Sequence, residues 1–467
     1  MGIIRRSLSA FGLLFFALTT YAQNGGTGTP ANGEVRDTTY KIGGEVLSLR
    51  QCIDYAMLHQ PALNKSLIST QIAGETNAVN LAPWLPQVSA SGSLIHYIQQ
   101  PGNGAVVAST GSTTGTTTTA SSTRTSISNS FVPGVQVSQA IFSPELLYAS
   151  HTAPLLLQAS KQVTDSTKIF LVTSVTKSFY NLLLTLQQIG VLKEDTARLG
   201  KNVTDAYHQY KGGIVDETDY EEASISLNNS KAQLKEAQEN IIPQYAALKQ
   251  LIGYPVNQQF NVAFDTLRMK SDINMDTLQQ LQFEKRIEFQ QLNTQKALQD
   301  QLLHYYNTQY LPTLSAFFNY NLEFQNNRAS DLFQNSYPSS LVGLSFSIPI
   351  FTGFARVHNV KKAQLQEQLI DWDRIDLKSQ INKEYTTALA TYKSNRYNLE
   401  LLQKNVTMAS RTYFVVTLQY KQGIVPYLNV ITAESNLVTS KVNYINALFQ
   451  VLSSKIDLEK SMGNITY

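Results

Sequence analysis

The second half of the chain contains two stretches in which apolar and polar side chains alternate at every second position. Between Leu314 and Phe324 the even-numbered residues are apolar or aromatic and most odd-numbered ones are polar. The stretch from Val342 to Ile350 repeats this pattern with mainly glycine and serine between the apolar residues. Period two over roughly ten residues is typical of a membrane-barrel strand, although a soluble hairpin with one wet face shows it as well. We predict four strands, near residues 311–325, 338–351, 84–98 and 128–142, the last two from weaker alternation.

Each pair of strands is followed by long stretches with helical periodicity. Apolar residues step by three and four from Val172 to Ile189 and, in the second half, from Ile381 to Tyr420 as a sustained heptad seam. Such a seam packs against neighbouring helices as a coiled coil. A helix of roughly 65 residues would reach about 100 Å, which is more than a compact domain needs. The predicted long helices cover residues 145–211, 217–253, 354–421 and 426–462, and short helix pairs precede the strands at 47–82 and roughly 276–310.

The same unit is written twice along the chain. The hexapeptide Tyr210–Val215 (Tyr-Lys-Gly-Gly-Ile-Val) returns 210 residues later at Tyr420–Val425 as Tyr-Lys-Gln-Gly-Ile-Val. The strands recur in the same order, and the first copy is longer because of a stretch of Gly, Ser and Thr within residues 99–126. That composition cannot bury a core, so it predicts a long exposed loop. We therefore predict two tandem repeats, at residues 46–255 and 256–467.

The first 22 residues have the pattern of a secretory signal peptide. A basic start is followed by an apolar run and by Ala22 at the cleavage position. We expect residues 23–45 to be flexible, and no other segment to be long and apolar enough to cross a membrane as a helix. The single cysteine, Cys52, excludes a disulfide within the chain and lies too far from the cleavage site to carry a lipid. It is interpreted as a small apolar residue on a helix.

Composition and motifs argue against nucleic-acid binding and against enzymatic activity. The formal net charge is +3 and charged residues make up 15% of the chain, which is too weak a basic field for nucleic acid. The 6 histidines are scattered without metal-ligand spacing, and the chain has no phosphate-binding glycine loop or nucleophile motif. We therefore expect no enzyme, no cofactor and no metal site.

Four membrane strands are too few to close a barrel. An open strand edge in lipid leaves backbone groups unpaired at several kcal/mol each, so the barrel must be shared between chains. Two chains would give eight strands, whose interior is filled by side chains, whereas three would give twelve, which is wide enough for water. The pattern predicts a homotrimer as the smallest conducting assembly.

Each copy contains a reversal between its two long helices. We name these reversals the tips, which consist of Gly213, Ile214 and Val215 in the first copy and of Gly423, Ile424 and Val425 in the second. Their glycines can end a helix in the left-handed conformation, while Asp216 can cap the next helix and Pro426 fits the first turn of its counterpart. The branched tip residues are apolar where the chain should be exposed. A plain turn does not need them, so we favour partner docking over a plain turn.

A wider set of residues carries a family resemblance. It includes the Leu-Pro strand openings, the Tyr-x-x-Gly-Ile-Val tips and an initial segment with Leu47-Ser48-Leu49, Ile53, Ala56, Pro61 and Leu63. In this order and spacing, the chain resembles the TolC-like outer-membrane efflux family. The resemblance implies an α+β fold, in which a trimeric twelve-stranded β-barrel in outer-membrane lipid, with four strands per chain, continues into a long periplasmic α-helical barrel. It also implies a closed periplasmic end that opens when an inner-membrane pump and a periplasmic adaptor dock.

The resemblance also implies a periplasmic gate beside the tips. Asp219 falls where the family has a gating aspartate and Tyr420 falls on its gating tyrosine, whereas Val425 replaces an expected arginine. Asn429 and Thr432 replace the pore-constricting aspartates, so these positions form no ring of acids. We expect Tyr420, Asn429 and Thr432 to hold the closed state by hydrogen bonding. Asp219 is either part of this gate or a first-turn acid favoured by the helix dipole.

These observations predict a passive outer-membrane channel that serves as the exit duct of a tripartite efflux or type I secretion system. The alternative is a non-conducting periplasmic coiled-coil scaffold or a surface structural protein. Conductance across a planar bilayer would distinguish the two.

Overall fold

The computed structural model describes residues 46–98, 127–263 and 272–467. The predicted signal peptide (1–22), the segment 23–45 and the Ser/Thr-rich stretch 99–126 lie outside the described residues. Internal contacts divide the chain into two units, one of Met1–Leu47 with Asn257–Ala263 and one of Ser48–Val256 with Phe264–Tyr467. The first unit contains a parallel pair of short strands, β1 (Val46–Leu47) and β4 (Asn261–Val262). The two repeats of the sequence therefore repeat the order of the elements, and their boundaries differ from those of the two contact units.

The second unit contains a four-stranded antiparallel sheet. Its strands are β2 (Gln87–His96), β3 (Asn129–Phe142), β5 (Thr313–Asn326) and β6 (Ser336–Ser347), and they lie side by side in this order. The prediction that the last strand continues to residue 351 is wrong. The strand ends at Ser347, opposite Thr313, because its partner β5 begins at that residue.

The pairing divides the side chains of this sheet into two faces, since residues opposite each other point the same way. On β5 the even-numbered residues from Leu314 to Phe324 form an apolar face, and the odd-numbered residues from Thr313 to Gln325 form a mostly polar face. Their partners on β6 continue both faces, with Val342 opposite Phe318 and Ser345 opposite Ser315. In the four strands of the described sheet, Glu323 is the only acidic or basic side chain besides a histidine, and Gln325 donates a hydrogen bond to it.

Seven α-helices lie within the described residues. They are α1 (Leu49–His59), α2 (Pro61–Leu81), α3 (Pro144–Lys211), α4 (Glu217–Ile252), α5 (Ile287–Thr308), α6 (Ala355–Lys421) and α7 (Tyr427–Met462). The long helices α3 and α6 have 68 and 67 residues, and each is therefore about 100 Å long. Their partners α4 and α7 have 36 residues each. The order strand, strand, long helix, shorter helix thus occurs twice.

Within each copy, the long helix packs against two shorter helices in succession. Helix α3 contacts α4 and then α2, and α6 contacts α7 and then α5, while α3 also contacts α5 and α7 of the second copy. The shorter partners end at Gly253 and Gly463, both with a φ of 71°. A Cβ at Gly253 would lie 2.6 Å from the carbonyl oxygen of His59, and one at Gly463 would lie 2.8 Å from that of Lys285. Only glycine satisfies both the backbone conformation and the space at these two positions, which we name the joints.

The second copy departs from the predicted helix pair at roughly 276–310. Within the described residues, a 3-10 turn (Phe283–Lys285) and helix α5 take its place. The chain before the turn has its carbonyl groups satisfied from outside: the Lys455 ammonium donates to the oxygen of Asp272 at 2.6 Å and the Tyr392 hydroxyl donates to that of Ile273 at 2.6 Å. Inside the predicted helical range, the Tyr385 hydroxyl likewise donates to the carbonyl oxygen of Gln279 at 3.0 Å. In the first copy, Ser48 instead starts α1 with a capping box.

Helix α3 supplies much of the core. It contains an 18-residue window with a mean hydropathy of 1.4, which by length and composition could cross a membrane. The expectation that no segment after the signal peptide meets that criterion is therefore wrong. However, 56% of the window is buried against the rest of the chain, as in a core helix.

Cys52 is also buried on α1, and burial raises the pKa of its thiol to about 12.

Candidate functional site

Both tips are closed by the same backbone hydrogen bonds. In the first, the N–H of Ile214 donates to the carbonyl of Gln209 at 2.9 Å, and in the second, that of Ile424 donates to Gln419 at 3.0 Å. Gly213 and Gly423 adopt φ values of 71° and 73°. This is the Schellman ending of a helix, in which a left-handed glycine lets the chain turn and satisfies the last carbonyl groups.

The tips present an isoleucine to solvent. Ile214 is 75% exposed and Ile424 is 69% exposed, whereas Val215 and Val425 are partly buried beside them. The next helices start differently from the prediction. Asp216 occupies the N-cap position, but its side chain makes no capping hydrogen bond, and Pro426 is itself the N-cap, one residue before the first turn of α7.

Immediately behind the tips, the long helices α3 and α6 and their shorter partners α4 and α7 meet in one apolar cluster. Its buried members are Ala206 of α3, Ala223 of α4, and Tyr427 and Val430 of α7. Tyr420 of α6 packs against this cluster, with its ring centroid 5.3 Å from that of Tyr427. The cluster fixes the relative positions of the two helix pairs at the tip end.

Tyr420 is the predicted gate residue that links two helices. Its hydroxyl donates to Oε1 of Gln209 on α3 at 2.8 Å. Burial raises the pKa of Tyr420, and the nearby carboxylates of Asp219 and Asp205 raise it further, so the hydroxyl remains a donor at neutral pH. Asp219 is thus close enough to act on Tyr420 by charge, while the hydrogen bond itself goes to Gln209.

The other two predicted gate residues lie on the surface of α7, one turn apart. Asn429 is exposed, and the hydroxyl of Thr432 donates to the carbonyl of Leu428 in the same helix at 2.9 Å. Within the single chain, then, Tyr420 makes an interhelical contact, and the side chains of Asn429 and Thr432 face outward. The residues on this face are available to another chain.

Sequence reasoning missed a buried charge cluster farther from the tips. The Arg198 guanidinium on α3 binds Oδ1 of Asp195 at 2.9 Å and Oε1 of Glu434 on α7 at 3.1 Å. Asn202 donates to the other oxygen of Glu434 at 3.2 Å, and Ser230 of α4 donates to Asp195 at 2.8 Å. Two carboxylates and one guanidinium thus tie three helices together.

Burial governs the electrostatics of this cluster. Glu434 is 2% exposed, and burial first and the charge of Asp195 second raise the pKa of its carboxyl, against the opposing effect of Arg198. Burial alone would lower the pKa of Arg198, but its hydrogen bond to Glu434 and the two carboxylate charges outweigh burial and raise it. A sequence signal existed: Asp195 interrupts an apolar step between Leu192 and Leu199.

The described residues contain no group of three or more His, Cys, Asp or Glu side chains placed to hold a metal ion. The polar contacts described above join helices: Tyr420 bonds to Gln209, and Arg198 pairs with Glu434. Their geometry suits the holding or releasing of helix contacts.

Comparison with known proteins identifies the family. The model of the family described as outer membrane efflux protein matches residues 52–254 and 306–464. Among curated proteins, no sequence relative matches the chain.

Solved structures show the same fold at low sequence identity. The CusC channel has a TM-score of 0.73 at 16% identity, covering 89% of this chain and 91% of its own. The CmeC outer membrane channel of Campylobacter jejuni has a TM-score of 0.69 at 18% identity, covering 89% and 85%. The MtrE outer membrane channel of Neisseria gonorrhoeae, in its open state, has a TM-score of 0.67 at 15% identity, covering 89% and 88%. The predicted fold class is confirmed, and the chain belongs to the outer membrane efflux protein family: it is a non-enzymatic outer-membrane efflux channel with a TolC-like fold and a large periplasmic helical part.

Proposed function

We propose that the protein is the outer-membrane exit duct of a tripartite efflux or type I secretion system. Three copies form one channel, and a periplasmic adaptor and an inner-membrane pump dock at the tips to open it. The chain supplies no energy of its own. Cargo is driven by the pump and passes through the duct.

The observation that carries this proposal is the pair of open edges of the sheet. In the described part of the chain, β2 and β6 each pair on one side only. In lipid, every backbone group left unpaired at such an edge costs several kcal/mol. Pairing of β6 with β2 of the next copy removes both edges, and three copies give the twelve strands that enclose water.

The helices support the same assembly. On α6, close to the sheet, Leu365, Leu369 and Trp372 follow each other at helical spacing and are 54%, 63% and 69% exposed. Such a stripe of large apolar residues is uncommon on the surface of a soluble monomer. A helix of a second copy would cover it.

Within this trimer the apolar face of the sheet contacts lipid and the polar face lines the channel. Strands that alternate in this way keep serine, asparagine and glutamine out of the hydrocarbon. At the periplasmic end, the exposed Ile214 and Ile424 provide the docking contacts. The gate consists of Asp219, Tyr420, Asn429 and Thr432. In it, Tyr420 joins α6 to α3, and the outward-facing Asn429 and Thr432 meet their counterparts in the other copies.

Conductance tests the channel. Purified protein in detergent is added to a planar bilayer, and single-channel steps are recorded together with the oligomeric mass of the sample. We expect stepwise conductance from a trimer. A well-folded oligomer that never conducts would favour the alternative of a structural scaffold.

Cysteine crosslinking tests the docking. Cys52 is buried with a raised thiol pKa, so a cysteine added at the surface can be labelled selectively while Cys52 stays in place. Ile214→Cys and Ile424→Cys should crosslink to a periplasmic adaptor in whole cells, whereas Ser379→Cys, exposed on α6 and far from the tips in sequence, is the matched control. Equal yields at all three positions would contradict docking at the tips.

A further inference from the structure

One aromatic ring interrupts the polar face of the sheet. Phe317 lies on β5 between Ser315 and Asn319, and its neighbours across the sheet are Ser138 on β3 and Gly343 on β6. All of these neighbours are small or polar. A phenylalanine that stood upright here would project its whole side chain from the face.

The side chain instead leans toward β6, so that the far end of the ring lies over Gly343. A Cβ added at Gly343 would be 2.6 Å from Cζ of Phe317, which is closer than real contacts allow, and 3.0 Å from Cε1. The backbone of Gly343 does not require glycine, since its φ is not positive. The absence of a side chain at this position therefore serves to leave room for the ring.

A second pair on the same face repeats this arrangement. Asn321, four residues farther along β5, pairs with Gly134 on β3, and a Cβ at Gly134 would clash with its Oδ1 and lie 3.2 Å from its Cγ and 3.2 Å from the carbonyl oxygen of Tyr320. Gly134 also has no positive φ. Phe317 thus lies toward one neighbouring strand and Asn321 toward the other, each over a glycine.

We propose that Gly343 and Gly134 set the bore of the channel by letting these two side chains lie against the wall. This inference rests on the proposed function, which places the polar face in the lumen. Three copies would carry three Phe317 rings at one level, each leaning on the wall as an apolar patch among polar and almost uncharged side chains. Such a wall suits amphipathic cargo, whose apolar part contacts the patch while its polar part stays hydrated.

Substitution of the glycines tests the bore. In Gly343→Ala the ring must lift into the lumen, and in Gly134→Ala the Asn321 amide must do so. We expect single-channel conductance to fall by at least a quarter in each variant and the largest polyethylene glycol that enters the pore to become smaller. Gly92→Ala is the matched control, because it lies on the apolar face and its Cβ would meet Phe131 at an ordinary 3.6 Å.

A double variant distinguishes an effect on the width of the channel from an effect on folding. Phe317→Ala together with Gly343→Ala leaves nothing to lift, so its conductance should return to the wild-type value or above it. Wild-type conductance in both single variants, or a double variant as low as Gly343→Ala, would overturn the proposal. If wild-type protein itself fails to conduct, the proposed function fails first, and the two failures are therefore distinct.

Discussion

Replacement of Arg198 by methionine is the sharpest test of the buried charge cluster. The side chains of Asp195 and Glu434 are 6% and 3% exposed, and Arg198 is the cation that binds both. Removing one partner of a buried ion pair leaves an uncompensated charge and typically costs about 3–5 kcal/mol. We expect Arg198→Met to destabilise the folded channel by about this amount at neutral pH.

The pH dependence of this loss follows from the raised pKa of Glu434. A carboxyl whose pKa is higher in the folded than in the unfolded state opposes folding when it is ionised, so its unfavourable contribution grows as the pH rises through the folded pKa. Loss of the guanidinium removes the charge that opposes this rise. The cost of Arg198→Met should therefore be larger at pH 8 than at pH 5.

The assay is thermal unfolding of purified protein in detergent, followed by the helical circular dichroism signal at both pH values. Arg411→Met, on the exposed face of α6, should change stability by no more than about 0.5 kcal/mol. A triple variant that adds Asp195→Asn and Glu434→Gln should recover most of the loss, because no charge then remains unpaired. A loss in Arg198→Met no larger than in Arg411→Met, or equal at both pH values, would refute the reasoning.

Three further predictions concern the tip end. Tyr420→Phe removes the hydroxyl bond to Gln209 while keeping the ring, so the closed channel should leak more current, by roughly a few fold, and an unchanged leak would argue against Tyr420 as a latch. Gly213→Ala should lower stability by about 1 kcal/mol, because alanine disfavours the positive φ. Gly200→Ala within α3 has free space for the added methyl group and should raise stability by a similar amount. Thermal unfolding of both variants checks that the two changes in stability have opposite signs. Asn429→Ala combined with Thr432→Val should raise the resting conductance and the leakage of drugs through the channel. Conductance and leakage unchanged from wild type would contradict a role of these two residues in the gate.

The periodic elements were predictable because their physical cause is local. Strand alternation around Phe318 and the heptad steps before Tyr420 each reflect one apolar face, and the tip glycines mark where a left-handed residue is needed. The end of the last strand depends on its partner, because Ser347 lies opposite Thr313, where the neighbouring strand begins. The cap at Asp216 could not be predicted in the same way, because a residue type that suits a cap does not show that its side chain makes the bond.

The candidate site was predictable only where it is local. The tips follow from their own residues, but the Arg198 cluster needs Glu434 from 236 positions away, and no pattern in one sequence pairs the two. The irregular segment before α5 has the same origin, since the side chains that hold it, including Lys455, come from distant helices. The glycine beneath Phe317 likewise gains meaning only from the strand register.

The two joints also bear on how ducts of different length can be built from one plan. At Gly253 and Gly463 the short helices end against the backbone, while α3 and α6 run past without a break. Seven residues added to both arms of a reversal would lengthen the periplasmic part by about 10 Å and keep every seam in phase. The same insertion in one arm alone would shift the two helices that the reversal joins out of register with each other. The distance spanned by the protein can thus change in matched heptads without touching the membrane sheet.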